Sequence, residues 1–308
     1  MRAFIFPGQG SQAVGMGAAL AEASRAARDV FEEVDEALGQ NLFQLMREGP
    51  EEELKLTENA QPAIMAQSLA VFRTVGVRLA DVASFVAGHS LGEYSALCAA
   101  GSFDLATTAK LLKLRGQAMQ LAVPVGEGAM AALLGADLAL AQKIAEAAAQ
   151  GEVCTVANDN DPSQVVISGR KAAIDRAIAL AKDMGAKRAV PLPVSAPFHC
   201  PLMQPAAEAM RDALGYVVVG PPAVPVYANV TAQPESDPDT IRDQLVEQVT
   251  GMVRWRETVA NMAEAGVDEF VELGGKVLGS MVKRTVPDAK VTSAVTIEDI
   301  ETLAKEIA

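Results

Sequence analysis

The chain has 308 residues, 50% of them hydrophobic and only 4% aromatic, and a formal net charge of −13 at pH 7. That length exceeds a typical domain, so one large domain with an insertion, or two domains, is expected, with a core built mostly from Ala, Val, Leu, Ile and Met. The acidic balance argues against a general nucleic-acid or anionic-membrane binder, since both want a basic face. Cys98, Cys154 and Cys200 are few and odd in number and show no metal-ligand spacing, so neither a disulfide framework nor a metal or other cofactor is expected, and a reducing compartment fits. No uninterrupted apolar run is long enough to span a bilayer, and the chain opens on a strand-like run rather than a signal peptide, so a cytoplasmic protein is expected.

In chain order, residues 3–6 form a short strand that ends in Pro7-Gly8-Gln9-Gly10-Ser11-Gln12, and a helix follows over 17–38. Gly8 to Ala13 matches the pattern G-x-G-x-x-A of a dinucleotide fingerprint. The acid-terminated second strand that such a site needs is missing, because residues 29–35 continue the helix. The glycines are better used to let a backbone N–H approach a reacting group. Residues 58–75 make a helix, with Pro62 placed in its first turn. A buried strand ends at Ala87 and runs into Gly88-His89-Ser90-Leu91-Gly92, followed by an Ala-rich helix over 93–101. Strand, G-x-S-x-G, helix is the context of a nucleophile elbow. Asp104 opens a helix to about residue 122, which Val123-Pro124-Val125-Gly126 breaks.

From about residue 128 the pattern changes to strand 130–134, helix 138–149, strand 153–157, a turn over 158–162, strand 164–167, helix 170–184 and strand 187–194. That order, β-α-β-β-α-β, is ferredoxin-like. A proline-bounded loop with His199 leads to a helix ending near 214, strand 224–230, a polar loop, helices over 241–249 and 255–265, strand 269–273, a helix after Gly274-Gly275 and a final strand over 291–295. Strands alternating with helices imply a parallel sheet covered on both faces. The expected division is 1–126 and 196–308 for a large subdomain and 127–195 for an inserted small one.

A serine hydroxyl needs a base, and the chain offers only His89 and His199 as imidazoles. His89 precedes Ser90 in the elbow and should point away from it, which leaves His199, on a loop at a strand end where sites of open parallel sheets gather. No acid sits at an obvious large-sheet strand end between Ser90 and His199, so a backbone carbonyl is expected to orient the imidazole. Arg115 shares a helix face with Leu111, Leu112 and Met119. A guanidinium in an apolar stripe snorkels to water, pairs with a buried acid, or grips a substrate carboxylate. Beside a serine nucleophile the carboxylate is the better reading. A non-catalytic binding module with the same fold is disfavoured by the presence of both Ser90 and His199.

Phe6 to Gln12, Gly88 to Tyr94, Arg115 with Gly116 and Met119, Phe198-His199, and Gln248 together resemble the malonyl-CoA:acyl carrier protein transacylase family, and the related acyltransferase domains of polyketide and fatty-acid synthases. The resemblance runs in order over essentially the whole chain. It implies an α/β fold, with an α/β-hydrolase-like large subdomain carrying a parallel sheet and an inserted ferredoxin-like small one. It implies malonyl transfer from malonyl-CoA through an acyl-serine to the pantetheine thiol of acyl carrier protein, in fatty-acid biosynthesis. It makes Ser90 the nucleophile, His199 the base, the N–H groups of Gln9 and Leu91 the oxyanion hole, and Gln248 the carbonyl that orients His199. Arg115 would hold the malonyl carboxylate, Met119 and Phe198 complete the substrate site, and Arg188 would contact CoA. Two departures stand out: Met252 occupies a position where proline is common, and Gly274-Gly275-Lys276 is one residue shorter than the usual Gly-Pro-Gly-Lys turn. The alternative enzyme class is a serine thioesterase or esterase. An acidic carrier protein would need a local basic surface, for which Lys187, Arg188 and Lys276 are the candidates.

Overall fold

The computed structural model describes residues 1–307, and among these it has ten strands in two sheets. The strands are β1 (Arg2–Phe6), β2 (Phe85–Gly88), β3 (Gly128–Leu134), β4 (Cys154–Asp161), β5 (Gln164–Arg170), β6 (Arg188–Pro191), β7 (Val226–Tyr227), β8 (Pro234–Glu235), β9 (Glu269–Leu273) and β10 (Lys290–Ala294). The larger sheet has the order β10-β9-β1-β2-β7-β8 and is parallel except for the β7–β8 pair. Strand alternation explains how it is buried. Phe4 and Phe6 pack with Val86, Val271 and Leu273 in one apolar cluster, whereas Ala3 and Ile5 pack with Ala87, Phe270 and Trp255 in another. A strand whose successive side chains fall into two cores has helices over both faces, as parallel sheets require.

The smaller sheet is antiparallel, in the order β4-β5-β3-β6, which is the order of a β-α-β-β-α-β unit. Ala131, Leu133, Val165 and Ile167 pack beneath the helices Leu138–Ala149 and Lys171–Ala181. The opposite face, with Met130, Ala132 and Val166, joins the core of the larger unit. The small sheet is therefore seated on the large one by apolar burial and not only tethered by its ends.

β1 lies between β2 and β9, so the later strands of the sheet are laid first on one side of it, as β2 and β7, and then on the other, as β9 and β10. Such switch points open a crevice at the carboxyl ends of the strands. Here the segments leaving β1, β2 and β7 carry Gln9, Ser90 and Asn229.

Several elements depart from the sequence reading. The helix expected over 17–38 is broken at Ser24, which is extended (φ −126°, ψ 122°), and its hydroxyl caps the second piece, Arg25–Leu38, by accepting from the N–H of Ala27. Pro62 lies inside the helix Thr57–Val75 rather than in its first turn, so the carbonyl of Glu58 has no i+4 N–H partner. The strand expected over 224–230 shortens to Val226–Tyr227. Residues 158–161, expected as a turn, continue β4 with two register shifts. Their side chains are buried, with Asp159 paired to Arg256 and Asp161 to Arg284, and the main chain at Asn158 forms a parallel bridge to Val253. Turn-forming residues become strand when tertiary partners take up their polar groups.

Candidate active site

Ser90 stands between the last residue of β2 and the helix Leu91–Ala99 with φ 54° and ψ −112°, a left-handed backbone that serine rarely adopts. Asn229 braces it from the loop after β7. Its Oδ1 accepts from the Ser90 N–H at 2.8 Å, and its Nδ2 donates to the Gly88 carbonyl at 2.7 Å. The glycines of the elbow are required sterically. A Cβ on Gly88 would run into the carbonyl group of Gly92, and one on Gly92 into the carbonyl of Phe6. The elbow helix thus rests main chain to main chain on the end of β1, which brings Gln9 beside Leu91. The Leu91 N–H, first in its helix, has no helical acceptor and lies at the positive end of the helix dipole.

His199 is buried and reaches Ser90 Oγ with Nε2 at 2.8 Å, while its Nδ1 is 2.9 Å from the main-chain oxygen of Gln248. A carbonyl can only accept, so Nδ1 carries the proton and the neutral ring presents Nε2 as acceptor to the serine hydroxyl. Burial, assisted by the charge of Arg115, pushes the His199 pKa down to about 3, which keeps the imidazole in its basic form at neutral pH. His89 turns away from the serine. Its Nε2 is 2.8 Å from Asn160 Oδ1, and its ring lies against Trp255.

Arg115 is 1% exposed. Its guanidinium donates to Gln61 Oε1 at 2.7 Å, to Gln248 Oε1 at 2.8 Å and to Ser90 Oγ at 3.1 Å, and it sits 5.7 Å from the centroid of the Tyr94 ring. Nε has no partner among the described residues. Of the alternatives for this arginine, snorkelling is excluded by its burial. No carboxylate bonds it directly; the nearest connection to one runs through Gln248 to Glu93. Gly116 permits the close approach of its helix to the helix Thr57–Val75, since a Cβ there would stand 2.5 Å from the Glu58 Cα. That approach lets Gln61 reach the guanidinium, and a chain of bonds then runs from Gln61 through Thr57 to the side chain of Gln9.

Gln9, Leu91, Ser90, Arg115, Met119, Phe198 and His199 line a single cavity of about 290 Å³, closed on its apolar side by Met130, Leu192 and Val194. Gln248 lies behind His199 and does not line the cavity. Arg188 is exposed on β6, where its backbone pairs with Leu134, and it is not part of the lining. Gln61, Asn158, Asn160, Glu93 and Asn229 belong to the site's surroundings and were not singled out by sequence reasoning. Glu93 stood inside a recognisable motif and Asn158 and Asn160 in a stretch that reads as a turn; Gln61 and Asn229 carry no local pattern. Among the described residues there is no group of His, Cys, Asp and Glu able to hold a metal ion.

A serine on a strained elbow, a neutral imidazole on its hydroxyl, free amides beside it and a buried guanidinium in the same cavity can form and break an acyl-serine ester. That chemistry defines the class, and the comparisons give the family. The acyl transferase domain model matches residues 3–300, and the chain belongs to this family. It is 47% identical over 285 residues to the malonyl CoA-acyl carrier protein transacylase of Escherichia coli (strain K12), covering 92% of each chain. The crystal structure of an acyl-carrier-protein-S-malonyltransferase from Bartonella henselae superposes with a TM-score of 0.97 at 52% identity, covering 99% of each chain. A malonyl-transacylase solved in complex with its type II PKS acyl-carrier protein gives a TM-score of 0.96 at 42% identity, again over 99% of each.

Proposed function

We propose that this enzyme transfers a malonyl group from malonyl-CoA to the pantetheine thiol of acyl carrier protein, by way of an ester on Ser90, in fatty-acid biosynthesis. Ser90 Oγ attacks the thioester carbonyl while His199 Nε2 takes its proton. The tetrahedral oxyanion is held by the N–H groups of Gln9 and Leu91. Collapse breaks the C–S bond, and the departing CoA thiolate takes the proton from His199. In the second half the carrier's thiol gives its proton to His199 and attacks the ester, and the proton returns to the Ser90 oxygen as it leaves. Gln248 keeps the imidazole in one tautomer throughout, a role that serine enzymes with an acid member give to a carboxylate.

The single observation that carries the reading is Arg115. A buried guanidinium beside the nucleophile, held by neutral amide oxygens and by no carboxylate, is a ready site for the carboxylate of a malonyl group. A simple thioesterase or esterase has no use for it. Met119 and Phe198 supply the apolar wall along the acyl chain. The cavity lies between residues 127–195, which contribute Met130, Asn158, Leu192, Pro193 and Val194, and the flanking stretches 1–126 and 196–308, which contribute the reacting groups. This supports reading 127–195 as an inserted subdomain that closes the cleft. Lys187, Arg188 and Lys276 remain the candidate basic surface for the carrier and for CoA phosphates, with Lys276 3.4 Å from Asp299. A cytoplasmic location accords with this activity, and among the described residues no helix is long and apolar enough to cross a membrane.

The test is incubation with malonyl-CoA followed by intact-mass measurement. A malonyl adduct on wild type, absent in Ser90→Ala, that leaves to holo acyl carrier protein much faster than to water is expected. Release to water at the same rate with and without the carrier would make the enzyme a hydrolase.

A further inference from the structure

Glu93, on the first turn of the elbow helix, is 2% exposed and takes no direct part in the chemistry above. One of its oxygens, Oε2, accepts from Gln248 Nε2 at 2.8 Å and from the Asn229 N–H at 3.0 Å. Each of those residues holds the reacting groups. Asn229 braces the strained backbone that leads into Ser90, at the Gly88 carbonyl and the Ser90 N–H. Gln248 offers its main-chain oxygen to His199 and its side-chain oxygen to Arg115, and donates from Nε2 to the Ser90 carbonyl at 3.0 Å. The orientation of the Gln248 amide matters. With Nε2 toward Glu93, Oε1 faces the guanidinium. Reversed, an NH2 would face Arg115, donor against donor, and Glu93 would lose a donor.

We propose that Glu93 is a positioning residue for acyl transfer: its Oε2 fixes the Gln248 amide and the Asn229 main chain, and through them the imidazole, the guanidinium and the elbow. The proposal rests on the acyl-transfer reading for its substrate but not for its geometry. What Glu93 supplies is an acceptor at one point. An amide oxygen, like a carboxylate oxygen, accepts from two donors, so a neutral group of the same shape can stand there without leaving either donor unpaired.

Glu93→Gln keeps the length and the acceptor and removes the charge. Glu93→Asp keeps the charge and withdraws the acceptor by one methylene. Two rates are measured on the full chain: the rate constant for labelling of Ser90 by a serine-directed sulfonyl fluoride, and kcat and KM for malonyl transfer to holo acyl carrier protein. A rate constant, unlike a labelling amplitude, does not fall merely because less of the protein is folded. Glu93→Gln is expected within threefold of wild type in both. Glu93→Asp is expected to lose at least tenfold in the labelling rate and in kcat, with KM for malonyl-CoA raised as the guanidinium loses its brace. If Glu93→Asp does not fold, Glu93→Met, which keeps the length without the acceptor, takes its place with the same expected loss. Near wild-type rates in both variants overturn the proposal, as does an equal loss in Glu93→Gln, which would make the charge the essential property. A wild type that labels normally but passes no malonyl fails the functional reading, and the labelling series still decides the role of Glu93.

Discussion

Two parts of this molecule bury charge, and they do so in opposite ways. Where β4 meets the larger unit, Asp159 takes Arg256 in a forked contact, with Nε 3.1 and 3.0 Å from its two oxygens and the second nitrogen at 2.8 Å. Asp161 accepts from Arg284 at 2.8 Å with one oxygen and from the N–H and hydroxyl of Ser163 with the other. At the elbow, Arg115 is wholly buried with neutral acceptors and an unpartnered Nε, and His199 is held far below its ordinary pKa. The first region meets each charge with its opposite and serves to seat one sheet on the other. The second leaves charge incompletely answered, which is costly for a fold and useful for a site that receives an anion. Even the paired region does not escape the cost of burial: desolvation raises the Asp159 pKa despite Arg256, while the same bond raises that of Arg256. The attraction is real and does not fully repay the desolvation of the acid.

The contrast breaks most sharply at His199. His199→Ala is expected to reduce malonyl transfer by on the order of a thousandfold or more while the protein stays folded, as for bases in other serine enzymes. Retention of activity within tenfold would mean that another group is the base. Next comes Arg115. Arg115→Ala should lower kcat/KM for malonyl-CoA roughly a hundredfold, about 3 kcal/mol, and acetyl-CoA much less, because the buried carboxylate alone loses its partner. Arg115→Lys should recover part of the loss, since an ammonium lacks the fork. An unchanged malonyl-to-acetyl ratio in Arg115→Ala would assign the arginine to the fold, alongside Arg256.

At the paired region the expected loss is in stability. Arg256→Ala leaves Asp159 buried without its fork, and about 2–3 kcal/mol should disappear from the urea-unfolding free energy, a figure reduced because Arg256 is itself partly exposed. No measurable change would show that solvent reaches Asp159 readily. The smallest effect is a pH signature. A histidine with a pKa of about 3 when folded and 6.5 when unfolded contributes stability that is complete above pH 6.5 and declines as pH falls from there toward 3. Glu93, raised to about 7, acts oppositely, losing its contribution as pH rises from its unfolded value near 4.5 to 7. Subtracting wild type from His199→Ala isolates the first: the variant should gain roughly 2 kcal/mol on wild type between pH 8 and pH 5. A difference that does not change with pH would mean that the imidazole is solvated.

What could be read in advance followed the range of each interaction. The elbow, the alternation of strands and helices and the apolar face holding Arg115 are written in neighbouring residues, and they stand where they were expected. His199 was found by elimination from a pair of histidines. The Asn158 to Asp161 stretch misled because its composition signals a turn; it pairs with β5, and Arg256, Arg284 and Val253, far along the chain, take up the polar groups that would otherwise favour a turn. Asn229 and Gln61 were illegible for the same reason. Nothing within several residues of either marks it, and each acquires its role from what the sheet and the Gly116 contact bring beside it.

The main-chain packing of Gly8, Gly88 and Gly92 has a consequence for how such enzymes diversify. Because the loop after β1 and the elbow touch through backbone atoms, the spacing of the Gln9 and Leu91 amides is indifferent to most side-chain replacements nearby. The side chains that face the cavity, Arg115, Met119, Leu192 and Phe198 among them, can then change without moving those amides. With Gln9 and Leu91 as the proposed oxyanion hole, a replacement at these cavity side chains can alter the acyl group accepted while leaving the two amides in place.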